Sequence, residues 1–348
     1  MLARTVRDSI VLVSMVAAGF GYDRHQRHDR SADAVDGHNV ILVVSDGMRW
    51  QEVFRGADSG IVFSTAGSPD ARARYWRSDV TRRRQALMPF VWGTMAREGM
   101  LVGNRDGGSA MRVTNGFKFS YPGYNELLVG RPDPRINSNR AGANPNVTVF
   151  EWLHRRQDFR GRVAAVGAWT AFEDIFNRRR SRIAMHAARK EPLDATSHAA
   201  AMGFLRERRP RALFVAYVET DDHAHAGRYD RTLDAAHAVD RYLSALWQFA
   251  QSHPQYRGKT TIIFTADHGR GRTTRSWTDH GEDVAGAEET FVAVIGPGVE
   301  SIGERHHVRG VNAQVAASVA AAVGLDYRQE VRSVAPSLIP VLTAAEVR

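Results

Sequence analysis

Five apolar residues in unbroken succession, Val40 to Val44, stop at Ser45-Asp46-Gly47. A strand with one wet face alternates apolar and polar residues. A run without alternation is apolar on both faces, so it fits the interior of a parallel sheet covered by helices on either side. Runs of the same kind occur at 162–168, 212–218, 260–264 and 290–295. Stretches with helical patterning lie at 87–98, 147–156, 194–208 and 228–252. This alternation predicts an α/β fold, a three-layer α/β/α arrangement around a mostly parallel central sheet. The stretch 56–84 reads as a polar surface insertion rather than a second core, and no internal repeat is present.

With 348 residues and 43% hydrophobic content the chain can bury a large core, and residues 38–348 are expected to form one catalytic domain. The first 21 residues have a basic start and an apolar run at Ile10 to Phe20, which predicts a signal peptide too short to span a bilayer. The alternative is an ordinary N-terminal helix. Residues 22–37, rich in His, Asp and Arg, read as a disordered joint, and His25 and His28 are not expected to be ligands. A periplasmic or secreted location without a transmembrane anchor follows from that leader. The absence of Cys removes disulfides, thiolate metal sites and cysteine nucleophiles, but says nothing about compartment.

The ends of the strands carry the chemistry. Asp46 closes the first run; Asp221-Asp222-His223-Ala-His225 follows the run at 212–218; Asp267-His268-Gly follows that at 260–264; Asp279-His280-Gly comes shortly after. In open α/β sheets ligands bind outside the carboxyl ends of the strands, so these acids are expected on one rim. Carboxylates and neutral imidazoles are the donors that hold zinc-type cations while leaving positions open for substrate, and the set reads as a two-metal hydrolytic site. Taken singly, each Asp before Gly also fits a turn or a helix cap.

The segment Thr114-Asn-Gly-Phe-Lys118-Phe-Ser120-Tyr-Pro-Gly-Tyr-Asn125-Glu reads as a helix entry at Ser120, where backbone N–H groups favour a phosphate or an alkoxide. Ser120 is the candidate nucleophile and an additional metal neighbour, Thr114 a competitor, and a plain N-cap role is compatible with either. Asn125, Lys118 and Asn104 are candidates for holding non-bridging oxygens.

The order and local spacing of Asp46, Ser120, Asp221 with His225, Asp267-His268 and His280 resemble the alkaline phosphatase superfamily, most closely its phosphodiesterase and nucleotide pyrophosphatase branch. The resemblance implies an alkaline phosphatase-like fold and two divalent ions, zinc in most relatives. One ion would be held by Asp221, His225 and His280, the other by Asp46, Asp267 and His268. It further implies hydrolysis of a small-molecule phosphate mono- or diester through a phosphoserine. Asp222, His223 and Asp279 adjoin the ligands as orienting groups. The branch has Asn three residues past its nucleophile; here Gly123 holds that place.

Arylsulfatases share the fold, with a Cys or Ser in a Cys/Ser-x-Pro-x-Arg motif. Ser120-Tyr-Pro122-Gly-Tyr124 has Tyr where that motif has Arg. A sulfatase is therefore the weaker reading within the superfamily, and phosphoglycerate mutases carry an insertion for which the chain has no room. From another class stands a basic nucleic-acid-binding protein, since the formal charge is +9. Its support is thin, because the arginines are scattered in clusters at 82–84, 178–180 and 206–211 and no recognition motif accompanies them. No stable nucleic-acid complex is expected. Trp169, Phe172 and Phe176 are candidates for a substrate pocket, or else core aromatics.

Overall fold

The computed structural model describes residues 37–140, 142–187, 191 and 193–342. The leader and almost all of the joint expected at 1–37 lie outside the described residues. Among those described, no helix is long and apolar enough to cross a membrane.

Eleven strands follow in chain order: β1 (Asn39–Ser45), β2 (Gly99–Val102), β3 (Ala110–Arg112), β4 (Val163–Val166), β5 (Ala184–His186), β6 (Ala212–Tyr217), β7 (Thr260–Thr265), β8 (Glu289–Thr290), β9 (Val292–Ile295), β10 (Gly303–Glu304) and β11 (Arg309–Val311). Eight of them form the main sheet in the order β10-β2-β9-β7-β1-β6-β4-β5, and β11-β3-β8 form a second, three-stranded sheet. In the main sheet β1 pairs in parallel with β6 and with β7, and β4 with β5 and β6, whereas β9 runs against both of its neighbours.

The lack of alternation in β1 has its expected physical counterpart. Ile41 and Val43 point into one apolar layer, Val40, Leu42 and Val44 into the other. The first layer is closed by the helix Tyr229–Ser252, whose Leu233, Ala236, Val239, Leu243, Leu246 and Ala250 recur at helical spacing along one face. The second is closed by the helices Ser120–Val129, Val149–His154 and Gln314–Ala321. The three-layer expectation is met.

Three local expectations are corrected. The helix expected over 87–98 is interrupted: the helix Val80–Leu87 stops, Met88 takes φ −130° and ψ 69°, and a π-turn begins at Val91. Pro89 explains this, because a residue before proline is pushed out of the α region. The run 290–295 is split at Phe291, its first part joining the second sheet as β8 and its remainder the main sheet as β9. Within 56–84 the chain forms the helices Ser59–Val62 and Pro69–Tyr75 and starts Val80–Leu87, capped by the side chains of Asp58, Ser68 and Asp79. Their Ile61, Val62, Ala71 and Tyr75 belong to the main core, so this segment is more than a surface insertion.

Candidate metal centre and nucleophile

β6, β1 and β7 lie side by side at the middle of the main sheet, all parallel, so their carboxyl ends open on one rim. Asp46 directly follows β1, Asp267 follows β7 by one residue, and Asp221 lies in the helix Glu219–His225 that starts just beyond β6. The ladder registers that build the core thereby set the spacing of three acids distant in sequence.

Asp267 and His268 are fully buried and Asp46 nearly so. His268 Nε2 lies 3.4 Å from Asp46 Oδ1 and 3.6 Å from Asp267 Oδ2. One ligand atom each from Asp46, Asp267 and His268 fall within 4.8 Å of one another, and so do those of Asp221, His268 and His280. His225, half exposed, completes the second group: its Nε2 is 2.9 Å from His280 Nε2 and 3.3 Å from Asp221 Oδ2. All six expected ligands therefore meet, with one change from the expected division, since His268 stands in both groups.

The donor atoms look toward something other than protein. Asp46 Oδ1, Asp267 Oδ2 and His268 Nε2 are buried without a hydrogen-bond partner among the described residues. Orphaned carboxylate oxygens facing an orphaned imidazole nitrogen would be costly unless a cation were placed between them. Burial pushes the carboxyls of Asp46 and Asp267 up; repulsion from Asp221 adds to both, and repulsion from Asp46 adds to that of Asp267. Burial likewise pushes Asp221 up, but His225, Arg270 and His268 outweigh it and hold that group well below the usual carboxylate range. His280 is pushed down to about 2 by burial and by His268, so its imidazole is neutral and free to donate a lone pair.

Two glycines let these groups approach. Gly47 has φ +57°, and a Cβ there would stand 2.4 Å from Asp221 Oδ1, while its N–H donates to Asp267 Oδ1 at 3.0 Å. A Cβ on Gly123 would stand 2.5 Å from the Asp267 carbonyl oxygen, so the helix Ser120–Val129 packs backbone to backbone against the loop that carries Asp267 and His268.

Ser120 is the first residue of that helix, and it lines a cavity of about 150 Å³ with Asp46, Asn139, Ala168, Trp169, Val218, Asp221 and Asp222. The loop before it is held by Glu126, a fully buried carboxylate that accepts from Thr114 N, Thr114 Oγ1, Asn115 N and Asn115 Nδ2 at 2.8–2.9 Å. Asn115 Oδ1 in turn accepts from Lys118 N, stabilising the left-handed backbone of Lys118. The Thr114 hydroxyl is thus held by Glu126, and Thr114, the other candidate, is not among the residues that line the cavity.

The expected oxyanion donors fall elsewhere. Asn125 is buried one turn on, where its Oδ1 accepts from Asn144 and Asn146, and it does not line the cavity. Lys118 Nζ donates to the Glu282 carbonyl at 2.7 Å, and Asn104 caps a turn at Asp106 and reaches Glu304. The amide that faces the cavity is Asn139, whose Oδ1 accepts from Tyr121 N at 3.0 Å. Of the three aromatic candidates Trp169 lines the cavity, while Phe172 and Phe176 are core. Asp222 lines it as well, whereas His223 and Asp279 are not among its lining residues.

Two further residues escaped the sequence reading. Tyr124 lies one turn after Ser120 on the same helix face, fully buried, and its hydroxyl donates to Asp46 Oδ2 at 3.1 Å. Arg270, two residues past His268, is buried, forms a close ion pair with Asp221 Oδ1, and donates to the Thr278 carbonyl. The i, i+4 spacing of Ser120 and Tyr124 was the available signal for the first; the ligand loop itself was that for the second.

The model of the family described as type I phosphodiesterase / nucleotide pyrophosphatase matches residues 53–336. The chain belongs to that family. It lies within the alkaline phosphatase superfamily. Among solved structures, the lipoteichoic acid synthase LtaP from Listeria monocytogenes superposes with a TM-score of 0.58 at 13% identity, covering 84% of this chain and 73% of that one. A protein solved with its substrate D-glucosamine-2-N,6-O-disulfate gives 0.58 at 11% identity over 88% and 80%. An alkaline phosphatase superfamily protein from Vibrio parahaemolyticus gives 0.51 at 13% over 83% and 67%. At such identities the likeness shows the fold alone. No curated protein sequence matches the chain.

Proposed function

We propose that the chain is a phosphoric ester hydrolase acting on small-molecule phosphate mono- or diesters, with Ser120 as nucleophile and Asp46, Asp221, His225, Asp267, His268 and His280 holding two divalent ions, zinc by donor type. The observation that supports it most is the meeting of orphaned buried donors from Asp46, Asp267 and His268, with Asp46 and Asp221 also lining the cavity that Ser120 lines. Bound there, the ions would polarise a phosphoryl oxygen and lower the pKa of the serine hydroxyl.

The chain's own groups account for the remainder. Ser120 gives up its hydroxyl proton to solvent and its Oγ forms a bond to phosphorus as the bond to the leaving oxygen breaks, and the departing alcohol takes a proton from solvent. Water then attacks the phosphoserine, and the Ser120 oxygen regains its proton as inorganic phosphate or a monoester leaves. At the helix start Tyr121 N already donates to Asn139 and Gly123 N to the Phe119 carbonyl, and Pro122 has no N–H, so the Ser120 N–H and the Asn139 side-chain NH₂ would hold non-bridging oxygens, the task first expected of Asn125 and Lys118. Trp169 offers a flat apolar wall for the alcohol portion. Tyr124 keeps Asp46 oriented, and Arg270 keeps Asp221 ionised.

Tyr124 occupies the place of the sulfatase motif arginine and is engaged with Asp46, which favours phosphate over sulfate esters. The basic nucleic-acid-binding alternative loses ground because clustered arginines are spent internally: Arg180 on Glu151, Arg178 on Glu173, Arg83 on main-chain carbonyls. The basic start and apolar run of the first 21 residues, read as a leader, are the ground for proposing export to the periplasm or exterior. The test compares nitrophenyl phosphate, bis-nitrophenyl phosphate and nitrophenyl sulfate on zinc-loaded and EDTA-treated protein. Zinc-dependent release from a phosphate ester that Ser120→Ala abolishes is expected. Release from the sulfate alone, or from none of the three, would overturn the proposal.

A further inference from the structure

Away from the metal centre, the second sheet carries a cleft of about 440 Å³ lined by Arg105, Arg112, Arg272 and Arg309 and floored by Gly108, Ser109, Ala110 and Gly310. That volume lies in the range of small-molecule sites. In the ladder Arg112 stands opposite Val311, and Arg309 opposite Ala110, so Arg112 and Arg309 rise from the same face of paired strands.

The four guanidinium groups differ in how they are held. Glu289, buried beneath the cleft, accepts from Arg272 Nε at 2.8 Å and lies 3.3 Å from Arg105 Nε, and Glu288 accepts from Arg272 Nη2 at 3.1 Å. Arg105 and Arg272 are thereby fixed in place. Arg112 and Arg309 make no side-chain hydrogen bond or ion pair among the described residues, and both are exposed. Four guanidinium groups against two carboxylates leave the cleft cationic, and mutual repulsion with Arg272 and Arg112 adds to the burial that lowers the Arg105 pKa. Two pinned arginines beside two uncommitted ones form a preorganised arrangement that is complete only with an anion present.

The lining also limits what the anion is attached to. Among the described residues no aromatic side chain lines the cleft, so they offer none of the stacking that proteins use to hold bases. Glycines, Ser109 and Gln314 instead offer a polar, backbone-rich wall, and the volume exceeds what one tetrahedral ion needs.

We infer that the cleft is a second ligand site, separate from the metal centre, that takes a tetrahedral anion, a phosphate or sulfate ester group, carried on a sugar-sized polar molecule. Arg112 and Arg309 close on the ester oxygens, and Arg105 and Arg272 supply the fixed background charge. The assignment does not rest on the proposed hydrolysis, because none of the cleft residues belongs to the candidate catalytic set.

The experiment uses full-length zinc-loaded Ser120→Ala protein titrated calorimetrically with glucose 6-phosphate and, separately, glucose 6-sulfate. Arg112→Ala/Arg309→Ala in that background is expected to weaken one binding event at least tenfold, and added salt to weaken it further. The same double substitution in the wild-type chain is expected to leave turnover of nitrophenyl phosphate within twofold. Arg112→Lys/Arg309→Lys, which keeps the charge but not the fork, should fall between. The tighter of the two sugar esters identifies the ester class. Binding of both esters unchanged by the double substitution, binding matched by chloride at equal concentration, or no binding of either ester would overturn the inference. Failure of nitrophenyl ester hydrolysis with the arginine-dependent event intact would instead count against the catalytic proposal alone.

Discussion

Replacing Glu126 by Gln should separate the scaffold of the nucleophile loop from the nucleophile itself. The carboxylate is fully buried and receives four donors, two from Thr114 and two from Asn115. Gln keeps one acceptor oxygen but turns an NH₂ group toward N–H donors, so the Asn115 pair, which is buried, loses its acceptor. An orphaned buried donor costs about 1–3 kcal/mol, and two of them give a loss of about 3 kcal/mol. At roughly 2 °C per kcal/mol for a domain of this size, the midpoint of thermal unfolding should drop by about 6 °C. The catalytic effect should be larger than that drop suggests, because the loop that Glu126 gathers leads directly into Ser120, and a displacement of about 1 Å at a reacting group can cost on the order of 100-fold. Differential scanning calorimetry and turnover of nitrophenyl phosphate well below the transition, run on the same zinc-loaded sample, read the two effects. Thr114→Ala is the control: it removes one partly exposed donor, and about 1 kcal/mol is expected. A Glu126→Gln protein melting within about 1 °C of wild type with unaltered turnover would refute the claim that this carboxylate positions the serine.

Asp267→Ala should abolish turnover and lower bound zinc measured by elemental analysis; full metal content with normal activity would remove the residue from the centre. Tyr124→Phe deletes the hydroxyl that orients Asp46, and zinc affinity in a competitive chelator titration should fall roughly tenfold or more. Asp240 supplies the pH prediction: burial pushes its carboxyl up to about 6 although it accepts from Phe90 N and Val91 N. Because the folded value lies above the unfolded one, this group's contribution is full below about pH 4 and is lost as pH rises toward 6, in all about 3 kcal/mol. Urea titrations from pH 4 to 7 should show that component missing from Asp240→Asn, and an identical pH profile in the two proteins would contradict the assignment.

What was legible in the sequence is what local composition encodes. Apolar runs with no alternation located the central strands, and an acid at each abrupt end located the rim, because burial on both faces and a polar opening are properties of a few consecutive residues. Asn125 shows where that information stops. It is an amide near the nucleophile in sequence, yet the helix turns it into a buried cluster with Asn144 and Asn146, while Asn139, from a loop further on, lines the cavity. The division of 290–295 between two sheets was equally hidden, since an apolar strand does not say which partners flank it. The interruption at Met88 was readable from Pro89, but the helical pattern on either side outweighed it. Glu126 looked like an ordinary early helix residue because the amides it receives belong to a loop whose path is set only when the tertiary structure closes.

The adjacency of β6, β1 and β7 has an engineering corollary. The three acids hang from the most interior strands, so altering their spacing means re-registering the centre of the protein, whereas Trp169 sits on a connection beyond β4 and can be varied without shifting a ladder. Retargeting such a scaffold toward a new leaving group is therefore a matter of redecorating the cavity wall around three acids whose spacing stays as it is.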